Sequence, residues 1–347
     1  MNKIINIPDN ITESPDKINT FTGFFKKHLI TKETKIISPF RVIMQKEIAD
    51  HVKSWRFIIL IAIISLTCFG SLYTALSNIS KVVKPGETDS AFFFLKLFTL
   101  SDNSLPPFFI FISFLGPLLG ISLGFDAVNS EQNQGTLSRV LAQPVHRDYF
   151  INAKFAGALT VISVMLFALG FLVMGIGLIA IGIPPTAEEF LRVVFFLVLS
   201  VIYIAFWLNL SIFFSIRLRQ PATSALSGIA IWLFVTIFYP IIVQLISKVL
   251  TPTGGHNPHA GYEKLINGLL GIMPNQLFSE ATTTLLVPSV RTLGPMTMEQ
   301  VYSVSGTLPL GQSLLVVWPQ VTGLVAATIL CFVLSYVSFM RREIRSR

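Results

Sequence analysis

Residues 155–183 read FAGALTVISVMLFALGFLVMGIGLIAIGI and contain no Asp, Glu, Lys or Arg. A helix rises about 1.5 Å per residue, so this run exceeds the roughly 20 residues that cross about 30 Å of hydrocarbon. Five more runs share its character: 57–77, 107–125, 193–215, 221–247 and 316–340. The composition agrees. Of 347 residues 52% are hydrophobic and only 13% charged, with a mean hydropathy of +0.68, against about 25% charged in soluble domains. Thirty Phe residues beside eighteen acids carry more apolar surface than one water-soluble core of this size would hide. The expected fold class is an all-α integral membrane protein with six transmembrane helices.

The net charge of +8 is a matter of topology before it is a matter of partners. With both termini cytoplasmic, nineteen of the 26 Lys and Arg fall on the inner side, whereas the acids divide ten to eight. Asymmetry confined to cations is the positive-inside signature, and it removes the need for a nucleic-acid partner. Cys68 and Cys331 lie inside apolar runs, where a thiol behaves as a small hydrophobe, so no disulfide framework is expected. The first apolar run begins near Phe57, so the first span itself serves as the insertion signal.

Around the spans the chain is patterned. Residues 1–37 read as a flexible cytoplasmic tail. Residues 38–56 read as an amphipathic interfacial helix, capped by Ser38 and Pro39. Phe40, Ile43, Met44, Ile48, Val52 and Trp55 lie on one face and Lys46, Asp50 and Lys53 on the other, with Glu47 beside Lys46. The six-span domain proper is 57–347. Ala91–Leu100, apolar but carrying Lys96, reads as an external interfacial helix. The inner loop 126–154 reads as helix, break, short helix, break, helix: Gly135 permits a turn, Leu137, Val140 and Leu141 form an apolar face, and Pro144 ends the element. A short helix held between two spans suits a partner's groove; the alternative is a plain surface loop. In the outer segment 248–315, the stretch 261–286 reads as short amphipathic helices resting on the outer leaflet. Gly116, Gly120, Gly170, Gly175, Gly177 and Gly182 permit close helix approach, although glycine is frequent in membrane helices anyway. Asn209 and Gln244 are polar groups within the spans.

The run Glu131, Gly135, Thr136, Leu137, Pro144, Val145, Arg147, Lys154, Phe155 and Gly157 resembles the coupling-loop signature of type-two permeases of ATP-binding-cassette transporters. Downstream, Pro274-Asn275, Phe278-Ser279-Glu280-Ala281-Thr282, Leu286, Pro288 and Val290-Arg291-Thr292-Leu293-Gly294 resemble an outer-segment motif of the branch linked to multicopper-enzyme maturation, including the nitrous-oxide-reductase maturation permease. The resemblance spans about residues 38–347; the long N-terminal tail and the length of 248–315 depart from the pattern. It implies a homodimer or paired permease in the bacterial cytoplasmic membrane, with cytosolic ATPase subunits docking on 136–142. Glu131 and Arg147 would be the polar contacts, and Leu137, Val140 and Leu141 the apolar insert.

Independent of resemblance, the six runs hold no ionisable side chain of the kind an ion-coupled carrier uses at depth. The sequence has no G-x-x-x-x-G-K-[ST] phosphate loop, and neither H-E-x-x-H nor G-x-S-x-G. Taken with what the resemblance implies, the expectation is a non-enzymatic permease of an exporter, with no cofactor on this chain and with ATP and Mg on its partner. A non-transporting scaffold or assembly factor and an ion-coupled carrier are the alternatives. His256 and His259, with Met296 and Met298, offer ligands that copper accepts, but they lack the count and rigidity of a defined site, so no metal is assigned.

Overall fold

A computed structural model describes residues 38–82, 92–100, 105–143, 146–182, 184–250, 266, 268–288 and 308–342. The expected tail 1–37 and Pro144, Arg291, His256, His259, Met296 and Met298 lie outside the described residues. Among those described there is no strand. Helix α1 (Pro39–Lys53) leads into α2 (Trp55–Val82); α3 (Phe93–Thr99) is short; α4 (Phe108–Gly124) precedes the small helices α5 (Asn129–Asn133) and α6 (Thr136–Leu141). Then come α7 (Arg147–Ile181), α8 (Ala187–Arg217), α9 (Pro221–Leu233), α10 (Tyr239–Leu250), α11 (Pro274–Leu286) and α12 (Leu310–Met340). Six stretches are long and apolar enough to cross a membrane: α2, α4 with its continuation to Asn133, α7, α8, α9 joined to α10, and α12.

Helix α8 is the centre, packed by α12, α4, α11, α7 and α9. Its apolar window is 61% buried, against 11% for α9–α10 and 17% for α12, so those two present wide apolar faces outward. Glycine explains the tight α4–α8 contact. A methyl on Gly120 would lie 2.8 Å from the Ile204 carbonyl oxygen, and one on Gly124 2.8 Å from that of Leu208, so the backbones touch where a side chain would stand. Gly175 meets nothing within 4 Å.

Between α9 and α10 the helix passes through a π-turn at Phe234–Phe238. Pro240 supplies the cause: it has no N–H to offer the carbonyl of Thr236, and a helix that loses a donor there widens or kinks. The small helices at the two ends differ from expectation. Helix α3 does not lie on an outer surface, because Phe94, Leu95, Leu97 and Phe98 are 0–1% exposed. Phe98 meets Phe108 and Phe196 edge-on, and Leu97 fills the space left by Gly177. Its four apolar residues thus plug the bundle rather than float on it.

Helix α11 likewise sits inside rather than on top. Near its start Asn275 bonds Tyr203, and near its end the Leu285 carbonyl accepts from Arg192. Tyr203 and Arg192 are eleven positions, about 16 Å, apart along α8, so α11 runs antiparallel alongside α8. Phe278 stacks on Tyr203 at 4.3 Å. Asn275, Gln276 and Glu280, polar residues suited to a surface, find partners within the bundle instead, whereas the Thr282 hydroxyl is buried without one. Tyr203 donates to the Asn275 carbonyl oxygen at 2.7 Å, Asn275 donates to Thr236, and Glu280 accepts from Gln276 at 2.9 Å and Gln320 at 3.3 Å.

Candidate functional site

The end of the bundle that carries α1 holds a cluster of charges. Helix α1 turns into α2 at Ser54, whose hydroxyl donates to the His51 carbonyl at 2.8 Å and accepts from the Phe57 N–H at 3.3 Å, ending one helix and starting the next. The inward face of α1 is not purely apolar: its one buried residue is Glu47, flanked by half-buried Phe40, Ile43, Met44, Ile48 and His51, whereas Val52 and Trp55 are exposed. This face docks on α7 because Gly157 leaves room. A methyl there would stand 3.0 Å from the Glu47 Cβ.

Across that contact, Lys154 Nζ donates to Glu47 Oε1 at 2.7 Å and to Glu131 Oε1 at 2.9 Å. The lysine side chain is 4% exposed, Glu47 8% and Glu131 12%. Charges are held so far from water only when paired. Lys46 reaches Glu131 at 3.5 Å from the exposed side, and the Phe150 ring lies 5.0 Å from the Lys154 nitrogen. One lysine on α7 therefore ties together the helix before the first span, the loop helix α5 and the third span. Beside it, Arg56 bonds Asp126 at 2.6 Å and covers the Phe125 ring. A cleft of about 270 Å³ opens among these groups, lined by Glu47, Asp50, His51, Arg56, Asp126, Glu131 and Lys154. Burial lowers the His51 pKa from its ordinary 6.5; Glu47, Asp126 and Asp50 pull it upward, and Lys154 pushes it further down.

The loop is fastened to α8 as well. The Ser215 hydroxyl accepts from the N–H groups of Val128 at 2.9 Å and Asn129 at 3.2 Å. The side chain of Asn133 donates to the Arg219 carbonyl at 2.9 Å. Thr136 bonds the Glu131 carbonyl, and Gly135 turns the chain at φ 70°, a conformation that favours glycine. This fastening alters which loop residues face outward. Leu137 is 4% exposed and belongs to the chain's own core, with Val140 packed against it, and Glu131 is turned to Lys154. The exposed loop residues are Gln132, Asn133, Gln134, Gly135, Arg139, Ala142, Gln143, His146, Arg147 and Tyr149, a mainly polar surface from which Leu137 is withdrawn; the Leu141 side chain lies outside the described residues. Phe40 contacts Tyr149 edge-on, and Pro274 is buried at the start of α11.

At the opposite end, Arg192 is wholly buried. It bonds Glu188 at 2.9 Å, the carbonyls of Leu285 at 2.9 Å and Leu308 at 2.6 Å, and the Ser313 hydroxyl at 3.2 Å. Glu189 caps α8 through Thr186 and accepts from the Phe94 N–H at 2.9 Å. The sequence marks Lys154 only as part of the resemblance motif and does not mark Arg192 at all, because the partners of both lie far away in the chain. Among the described residues no group of three or more His, Cys, Asp or Glu is placed to hold a metal ion.

The sequence profile of a family described as ABC-2 family transporter protein matches residues 41–344. No curated protein matches the chain.

Proposed function

The chain belongs to the ABC-2 family of transporter proteins, and from that membership we propose that it is the permease subunit of an exporter whose ATP hydrolysis occurs on a separate chain. It supplies no nucleotide site; ATP and Mg bind the partner ATPase. The end carrying α1 faces the cytoplasm, in keeping with the distribution of Lys and Arg, and the ATPase docks on the exposed surface of α5–α6 around Gln132, Arg139 and Arg147.

The observation that carries this reading is the buried Glu47–Lys154–Glu131 cluster. A push on α5–α6 has no slack to absorb it: Glu131 passes the displacement to Lys154 on α7 and, through Lys154, to α1, while Ser215 passes it to α8. Rigid coupling of one short loop to three long helices is what a conformational drive from outside the membrane requires. The outward apolar faces of α9–α10 and α12 support a permease that works as a pair, with lipid covering what the second copy does not. The groove of about 470 Å³ between α11 and α12, lined by Glu280, Gln320, Pro319 and Gly323, is the part of the substrate path we favour. The outer-segment motif on α11 supports placement in the copper-enzyme maturation branch.

Co-purification with candidate ATPases, followed by ATP hydrolysis and transport in liposomes, tests the assignment. Wild type should retain an ATPase; Arg139→Glu with Arg147→Glu should release it, and Glu131→Gln should retain it while transport per ATP falls. An ATPase held equally well by the double charge reversal would overturn the docking surface, and transport driven by an ion gradient without ATP would overturn the function.

A further inference from the structure

With the α1 end in the cytoplasm, as proposed, a second basic feature lies at the same end of the bundle. Where α8 and α12 end together, a cleft of about 400 Å³ is lined by Phe213, Arg217, Leu334, Val337, Arg341 and Arg342, among others. Its lower walls are apolar, and Leu334 and Val337 are 50% and 37% exposed, as expected of side chains that meet hydrocarbon. Among the described residues its charged groups, Arg217, Arg341 and Arg342, are all cationic. Arg342 is anchored by a bond to the Ile216 carbonyl, which fixes one guanidinium against the end of α8, whereas Arg217 and Arg341 are exposed. Among the described residues none of these arginines, nor Arg219 beside them, pairs with a carboxylate. Arg219 and Arg217 add their repulsion to burial in lowering the Arg342 pKa, so the charge is not neutralised from within.

We propose that this cleft binds the phosphate of an anionic membrane lipid, with its acyl chains lying along Phe213, Leu334 and Val337. Guanidinium groups bind phosphate oxygens through paired hydrogen bonds, and a basic recess between spans at the membrane boundary is suited to an acidic headgroup. The apolar lower walls distinguish this site from one for free phosphate, which would gain nothing from them. A lipid seated here bridges the last turns of α8 and α12 and thereby holds the sixth span against the central helix.

The purified full-length chain, stripped of lipid in detergent, is titrated with phosphatidylglycerol, phosphatidylcholine or inorganic phosphate, and bound lipid is read by native mass spectrometry alongside the thermal midpoint. Phosphatidylglycerol should bind and raise the midpoint, and added salt should weaken it. Arg217→Gln with Arg341→Gln alters two exposed side chains and should leave the lipid-free midpoint unchanged while weakening phosphatidylglycerol roughly 30-fold, the product of two headgroup contacts. Equal binding of phosphatidylcholine, unaltered affinity in the double variant, or equal stabilisation by inorganic phosphate would each overturn the lipid site. Should the double variant lose its fold, salt dependence and lipid preference in the wild type still decide the matter.

Discussion

Glu47 and Lys154 stand 107 positions apart in the chain and 2.7 Å apart at their charged atoms, both nearly out of reach of water. With Glu131 on the other side of the amine, the lysine separates two carboxylates. Its removal leaves them facing each other, and breaking a buried pair from one side costs about 3–5 kcal/mol. Lys154→Met should lower stability by that order and loosen α1 from α7. Glu47→Gln should cost less, since its amide oxygen still accepts from Lys154 and Glu131 still balances the charge. The triple variant with Glu47→Gln, Lys154→Met and Glu131→Gln should regain most of the loss. Unfolding in nanodiscs measures all three; a triple variant no more stable than Lys154→Met would argue against an electrostatic origin.

The glycines separate into two groups by what surrounds them. Alanine favours a helix over glycine by about 1 kcal/mol, so Gly175→Ala, which meets open space, should be neutral or slightly stabilising. At Gly120 and Gly124 the obstruction is backbone at 2.8 Å and cannot rotate away. There the same change should cost about 1–3 kcal/mol as α4 is forced from α8. Matched thermal midpoints for the three variants would show the contact to be looser than the structure has it.

His51 gives the α1 end a dependence on pH. Its folded pKa lies below the ordinary 6.5, so as pH falls the unfolded chain takes the proton first. The stability it contributes is complete above 6.5, declines as pH drops from there toward the depressed value, and levels off below it. His51→Gln should flatten the unfolding midpoint between about pH 7.5 and 5 relative to wild type. An identical slope in the variant would assign the dependence to other groups.

How legible these features were in the sequence follows from how far apart their parts lie. The six apolar runs needed only local composition, and the structure places six membrane-length helices over them. Their ends were harder to read, because α7 begins at Arg147 and α12 at Leu310, ahead of the apolar runs; a helix continues through polar residues once its core is packed. Lys154 sits one position before an uncharged run and looks like a boundary residue until Glu47 and Glu131 are brought to it. Helix α11 carries Asn275, Gln276 and Glu280, which read as a surface; Tyr203, Thr236 and Gln320 satisfy them at depth, and no periodicity within α11 reports on partners from three other helices. Leu137 formed an apolar face in the loop, and periodicity does not say whether such a face meets a partner or the chain's own core.

Arg192 offers the sharpest test of how α11 is held against α8. Its guanidinium is fully buried and fastens α8 to the end of α11 through Leu285 and to the start of α12 through Leu308 and Ser313. A lysine cannot span these acceptors together with Glu188, because it lacks the planar fork. Arg192→Lys should therefore destabilise by about 1–3 kcal/mol through unsatisfied carbonyls, and Arg192→Met by more, since Glu188 then loses its partner as well. The loss should be local before it is global: hydrogen exchange should accelerate in 274–288 and 308–313, while the Glu47–Lys154 region keeps its protection. Uniform acceleration across both ends would mean that Arg192 supports the bundle as a whole and that α11 has no separate anchor.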